Sequence, residues 1–103
     1  MTHRVMFSPW AHADLHGLFD YLSERFGVTN AERYVGGIED ACLSLSTMPN
    51  RGTARPDLRP GLRTMGFRHR ANLAFHVNHD AVSTLRILNG GRTAAFGVTA
   101  ANN

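Results

Sequence analysis

Lysine is absent from this sequence, so every permanently cationic side chain is an arginine. Guanidinium forms bidentate pairs with carboxylate or phosphate and keeps its charge when half-buried. Cysteine is almost absent as well. A lone Cys42 excludes an internal disulfide and fits a reducing compartment; inside an apolar helical stripe it reads as a small buried hydrophobe. No stretch approaches the roughly 20 apolar residues that span a bilayer. The opening Met1–Pro9 segment lacks an apolar run of about 7–15 residues, so no secretory signal is expected, and the protein is expected in the cytoplasm with no membrane association. Aromatics are scarce after Tyr34, where only Phe67, Phe75 and Phe96 occur. That scarcity disfavours a plain nucleic-acid module that stacks bases on a sheet.

The 103 residues bound the chain to one domain, expected to span 1–103 with about 93–103 as a flexible tail. A chain this short buries only about 60–70 % of its unfolded surface, which leaves room for a partner to add stability. The net charge of +3 hides an asymmetry. Residues 1–50 carry three arginines against six carboxylates, net −3, and residues 51–103 carry eight arginines against Asp57 and Asp80, net +6. Arg51, Arg55, Arg59, Arg63, Arg68 and Arg70 form a block opposed only by Asp57. Such a block points to an anionic partner, either nucleic acid or an acidic protein segment; a merely solvated basic face is the plain alternative.

Residues 3–7 read as a strand. Ser8-Pro9 reads as an N-cap with proline at the first helical position. Ala11, Leu15, Leu18, Phe19, Leu22 and Phe26 recur at helical spacing, and Gly27 ends that helix. Trp10 is expected to staple the helix start to the sheet. Thr29-Asn-Ala-Glu32 is a capping-box pattern opening a second helix, with Tyr34, Val35, Ile38, Ala41, Cys42, Leu45 and Met48 on one stripe and Met48-Pro49 as the stop. With two residues between them, the helices are expected to form an antiparallel hairpin. Residues 50–61 hold two Gly and two Pro and read as an arginine-rich loop. Leu62–Phe67, Arg70–Val77 and Val82–Leu88 follow as strands, with Asn78-His-Asp-Ala81 as a hairpin turn. The order β-α-α-β-β-β predicts an α+β fold of two layers, the helical hairpin on one face of a mainly antiparallel sheet and the other face open. The polar end Ala100–Asn103 is expected to fray.

Several of these segments together resemble the ParE/RelE superfamily of toxins from type II toxin–antitoxin systems, the ParE-like branch most. Ala13-Asp14-Leu15 with Tyr21-Leu22 is similar to the family's opening helix, and Ala31-x-x-Tyr34 to the start of its second. Met48-Pro49-Asn50-Arg51-Gly52 is similar to the segment that ends that second helix. Arg59-Pro60-Gly61-Leu62-Arg63 looks like the entry to the second strand, and Thr84–Arg92 like the last strand with its Gly-Gly-Arg ending. The likeness covers roughly residues 4–92 in order and spacing. It implies the β-α-α-β-β-β fold and a cognate, ParD-like antitoxin with an acidic C-terminal segment, forming a hetero-oligomer with the toxin. It also implies one of two activities: inhibition of DNA gyrase by binding, or cleavage of mRNA on the ribosome.

Ribonuclease chemistry needs a base for the 2′-hydroxyl, cations for the phosphate and an acid for the leaving oxygen. If the chain were a ribonuclease, Arg63, Arg70, Arg86 and His69 would be its catalytic candidates. Asn89 stands where many relatives carry His, and an amide transfers no proton at neutral pH. The missing acid/base favours the gyrase reading, although ParE-like relatives commonly share that His too. The candidates for partner contact are Arg59, Arg63, Arg70, Arg86 and Arg92. Fold support competes with partner contact for Arg63 and Arg70, and a sheet-face ion pair competes for Arg86. His76 reads as the solvent-side residue of its strand. His12 and His16, at i and i+4, have no third ligand in evidence, so neither a metal nor a cofactor is expected.

Overall fold

In the computed structural model, which describes residues 2–68 and 70–89, Ser8 turns the first strand into the first helix. The elements are β1 (Arg4–Phe7), α1 (Pro9–Phe26), α2 (Val28–Leu43), a 3-10 turn (Ser44–Ser46), β2 (Thr53–Ala54), β3 (Leu62–Phe67), β4 (Ala71–Val77) and β5 (Ala81–Asn89). One sheet runs in the order β1-β5-β4-β3-β2, with β1 parallel to β5 and the other pairs antiparallel. The expected α+β architecture of two helices on a mostly antiparallel sheet is the one observed, with the short β2 added inside the arginine-rich loop. His69, Arg92 and the expected tail at 93–103 lie outside the described residues.

Ser8 caps as expected. Its Oγ accepts from the Ala11 amide at 3.0 Å and donates to the Leu85 carbonyl at 2.7 Å, so one hydroxyl ends a helix and ties it to β5. Gly27, at φ 90°, is the whole joint between the helices, one residue rather than two. The Thr29–Glu32 pattern therefore does not cap. The Gly27 carbonyl already accepts from the Ala31 amide at 3.1 Å, and those residues lie inside the first turn of α2. The regular helix also stops earlier than Met48-Pro49. Ser44 Oγ donates to the Ala41 carbonyl at 2.6 Å, the local competition by which serine loosens a helix, and the chain tightens into the 3-10 turn. Trp10 does not staple the helix to the sheet. It is 66 % exposed, because its position falls off the buried Ala11–Leu15–Leu18 stripe.

The main core joins that stripe and Ile38 and Cys42 of α2 to Ala71 and Leu73 of β4 and Ile87 of β5. A second cluster, Leu45, Phe75 and Val82, closes the end of the helical layer under the 3-10 turn. The opposite sheet face is partly covered: Leu62, Ala74 and Leu88 are buried there, with Leu58 of the arginine-rich loop and Leu85 against them. Between Ala74 and Phe75 the β4–β5 register shifts, so that Ala74 faces Arg86, Phe75 faces Thr84, and Leu85 has no opposite residue. This bulge re-aims β5 just where β1, which pairs only with Ala81–Thr84, ends.

One polar group sits badly in this core. Thr84 is fully buried, and its hydroxyl finds no nitrogen or oxygen partner among the described residues, leaving the weakly bonding thiol of Cys42 beside it. Burial pushes the Cys42 thiol up, which keeps it protonated and inert. Thr84→Val keeps the shape and removes the orphaned hydroxyl, so it should stabilise the protein by about 1 kcal/mol in chemical denaturation. A loss of stability would mean that the Thr84–Cys42 contact matters more than its chemistry suggests.

Candidate functional site

The residues singled out by the sequence occupy three separate places. At the first, Asp14 of α1 reaches the outer edge of β5 beyond the end of β1. Its Oδ2 accepts from Arg86 Nε at 2.8 Å and from the Ile87 backbone amide at 2.8 Å, while Oδ1 accepts from Arg86 Nη2 at 3.2 Å. The carboxylate thus satisfies a strand-edge amide and a forked guanidinium together. Both side chains are withdrawn from water, at 28 % and 16 % exposure for Arg86 and Asp14. The hydrogen bonds and the charge of Asp14 outweigh desolvation and hold the Arg86 proton more firmly than usual.

At the second place, Arg63 near the start of β3 folds back on the loop before it. Its Nε donates to the Arg51 carbonyl at 3.0 Å, and Nη2 donates to the carbonyls of Asn50 at 2.6 Å and Gly52 at 3.3 Å. Arg51 Nη1 in turn donates to Ser44 Oγ at 2.9 Å. Farther along, Arg55 forks onto Asp57 in open solvent, and Arg59 is exposed. Only backbone bonds are recorded for Arg59 among the described residues, its amide to the Arg55 carbonyl and its carbonyl from the Leu62 amide.

The third place is the far end of the sheet, where β3 turns into β4. Arg70 there lines a cavity of about 240 Å³ with Leu22 and Phe26 of α1, Asn30 and Tyr34 of α2, and Asn89 at the end of β5. The Tyr34 hydroxyl donates to Asn89 Oδ1 at a long 3.5 Å, and its ring meets Phe67 edge-on at 5.4 Å between centroids. Arg68, at φ 50°, lays its guanidinium over the Phe67 ring at 5.0 Å. Asn89 is also the corner of a longer groove of about 520 Å³ that runs between α1, at Ala13, Gly17 and Tyr21, and the β5 edge.

The three arginines proposed as a catalytic set therefore do not converge. Arg86 is held by α1, Arg63 by its own loop, and Arg70 stands near the opposite end of β3 from Arg63. His76 is half-buried, its ring lying over Gly61, where an added Cβ would collide with it. Sequence reasoning missed Tyr34 and Asp14. The sequence places Tyr34 on a core stripe and in the Ala31-x-x-Tyr34 motif but gives it no part in a site, whereas the fold brings its phenol to the end of the sheet beside Asn89. Asp14, flanked by Ala13 and the buried Leu15, carried a readable signal: a carboxylate beside an apolar stripe needs a partner.

Burial pushes the Tyr34 phenol above its ordinary value of 10.0, offset in part by the charges of Arg70 and Arg68. It is neutral near pH 7 and offers no base. The folded chain holds the phenolic proton more tightly than the unfolded chain does. That contribution to stability is fully present below pH 10.0 and is lost as pH rises through the higher folded value. Tyr34→Phe should flatten this alkaline decline while changing neutral-pH stability by less than about 0.5 kcal/mol. Denaturant unfolding of both proteins at neutral and alkaline pH checks it, and parallel alkaline losses would rule it out.

No group of three or more His, Cys, Asp or Glu side chains gathers for a metal among the described residues, nor does any described helix have the length and apolarity to cross a membrane.

Against known proteins, the family described as the ParE toxin of the type II toxin–antitoxin system parDE matches residues 5–94. Toxin ParE3 of Caulobacter vibrioides is 37 % identical over 87 residues, 84 % of this chain and 86 % of that protein. Toxin ParE1 of Mycobacterium tuberculosis is 34 % identical over 65 residues, 63 % of this chain and 66 % of that one. The structure of the chromosomal ParDE toxin–antitoxin system from P. aeruginosa superposes with a TM-score of 0.74 at 26 % identity, covering 86 % of this chain and 97 % of the other. The RelBE2 toxin–antitoxin complex of M. tuberculosis shares the fold, with a TM-score of 0.61 at 22 % identity over 86 % of this chain and 99 % of the other.

Proposed function

This chain belongs to the ParE toxin family of type II toxin–antitoxin systems, and from that membership we propose that it is restrained by a cognate antitoxin and acts by binding and inhibiting DNA gyrase. The antitoxin is a ParD-like chain with an acidic C-terminal segment, and the pair forms a hetero-oligomer in the cytoplasm. The structural neighbours support the partner, since both are described as toxin–antitoxin assemblies. The charge asymmetry supports its chemistry, because the second half of the chain carries a net +6.

The observation that carries the gyrase reading is the dispersal of the sheet arginines. Phosphodiester cleavage needs cations and an acid/base pair around one phosphate. Here Arg86 and Arg63 are already bound to Asp14 and to loop carbonyls, Asn89 cannot transfer a proton, and Tyr34, being protonated, supplies no base for the 2′-hydroxyl. One juxtaposition favours the second reading, a ribosome-dependent mRNA endoribonuclease: Arg70 and Tyr34 line the same cavity.

Purified protein added separately to a gyrase supercoiling assay and to a translating extract separates the two. Loss of supercoiling with intact message is the expected result. Cut message with normal supercoiling would replace gyrase with mRNA as the target.

A further inference from the structure

Among the described residues, three arginines pair with carboxylates: Arg4 with Asp80, Arg55 with Asp57 and Arg86 with Asp14. Arg70 pairs with none of them, although it stands at the mouth of a cavity whose walls are apolar. Leu22, Phe26 and Tyr34 supply those walls. Phe26 is 57 % exposed, and Val28, one residue past the helix joint, is 56 % exposed. Large apolar groups left together on the surface at a helical corner mark an interaction site. The amides of Asn30 and Asn89 add donors and acceptors at the rim.

The size of the cavity selects the kind of ligand. Pockets for drug-sized molecules and cofactors run from roughly 300 to 1,000 Å³, and this one, at about 240 Å³, is smaller. A single large side chain suits it better. A nucleic-acid backbone would use rows of cations and little apolar wall; this place has Arg70 on the cavity, Arg68 beside it over the Phe67 ring, and Leu22, Phe26 and Tyr34 as apolar lining. The charge and the lining together call for an acidic protein segment that carries a bulky apolar residue next to a carboxylate.

We propose that this cavity is the anchor of the antitoxin on the toxin: an aromatic or large aliphatic side chain of the acidic segment fills the space between Leu22, Phe26 and Tyr34, and a neighbouring carboxylate pairs with Arg70. The proposal rests on the antitoxin reading above and locates its strongest contact. Anchors of this type, an apolar side chain in a pocket beside a desolvated ion pair, dominate protein interfaces. Asn30 already donates to the Phe26 carbonyl at 2.8 Å, which braces the rim in the free protein.

The test uses the purified product of the reading frame adjoining the toxin gene, titrated calorimetrically against full-length toxin variants. Arg70→Glu should weaken binding by roughly a hundredfold or more, and Phe26→Ala by roughly tenfold. Both residues are exposed, and circular dichroism will verify that the variants stay folded. Arg4→Glu makes the same change of charge at the opposite end of the sheet, on the outer strand β1, and should weaken binding by less than about threefold. If Arg4→Glu costs as much as Arg70→Glu, only the overall charge matters and the anchor is wrong. If the wild-type toxin binds and neither cavity variant changes the affinity, the anchor is wrong while the antitoxin reading stands. If the wild-type toxin does not bind the adjoining product, both fall.

Discussion

Asp14→Ala is expected to lower stability by roughly 2–4 kcal/mol, seen as a fall of roughly 10 °C or more in melting temperature. The size follows from what the carboxylate leaves behind. Its removal strands the Arg86 guanidinium and the Ile87 amide, both part-buried and both bonded to Asp14 at 2.8 Å. The exposures of 28 % and 16 % place the pair between a surface bridge and a fully buried one, so the estimate stays below the full cost of breaking a buried ion pair. Arg86→Ala should lose less, because Asp14 then still accepts from Ile87. The double variant should lose less than the sum of the single losses, with a coupling of about 1 kcal/mol or more. Strict additivity, or an Asp14→Ala loss below about 0.5 kcal/mol, would show that water replaces the carboxylate without penalty.

An Arg86→Ala toxin that no longer kills has lost part of the clamp between α1 and β5, so its folded fraction has to be measured before the phenotype is assigned to a lost contact. Arg70 is the cleaner probe of binding. No ion pair or side-chain hydrogen bond to another described residue is recorded for it, and its substitution leaves the clamp intact.

The order of elements was legible because each rested on a local signal. Ser8-Pro9 opened α1, Gly27 closed it, and Asn78 made the turn, where its Oδ1 accepts from the amides of Asp80 at 3.0 Å and Ala81 at 2.8 Å. The capping box failed because Gly27 reverses the chain within one residue, a choice that depends on how two helices pack and not on either helix alone. Trp10 failed for a related reason: hydrophobicity marks a residue for burial, but helical phase decides whether it faces the sheet. At the site, the arginine block was visible as charge, while its division into clamp, loop brace and a cation unpaired among the described residues was not. That division depends on partners distant in sequence, Asp14 for Arg86 and the Asn50–Gly52 carbonyls for Arg63. Tyr34, Arg70 and Asn89 meet only because the β3–β4 turn and the last residue of β5 lie at the same end of the sheet, which no spacing within one segment reveals.

Phe75→Ala should be the most damaging single change, at about 3–5 kcal/mol. Phe75 is fully buried at the centre of β4, beside the bulge, and packs with Leu45 of the 3-10 turn and Val82 of β5, with Val5, Met65 and Val77 around them. Its ring therefore ties four strands to the end of the helical layer, and none of those walls can move inward without breaking sheet register. The cavity left behind stays open, which is the condition for the upper end of the range. A domain of this size has only about 5–15 kcal/mol in all, so the variant should be partly unfolded at growth temperature. Leu58→Ala, on the half-covered opposite face, deletes a similar side chain where the loop can settle, and should lose no more than about 1 kcal/mol. Urea unfolding of the two variants side by side decides the matter: equal losses would mean that the sheet has two comparable cores. Because a bound antitoxin adds stability only to the folded toxin, its complex with Phe75→Ala should melt well above the free variant, and a complex that melts no higher would show that the partner does not bind the folded state.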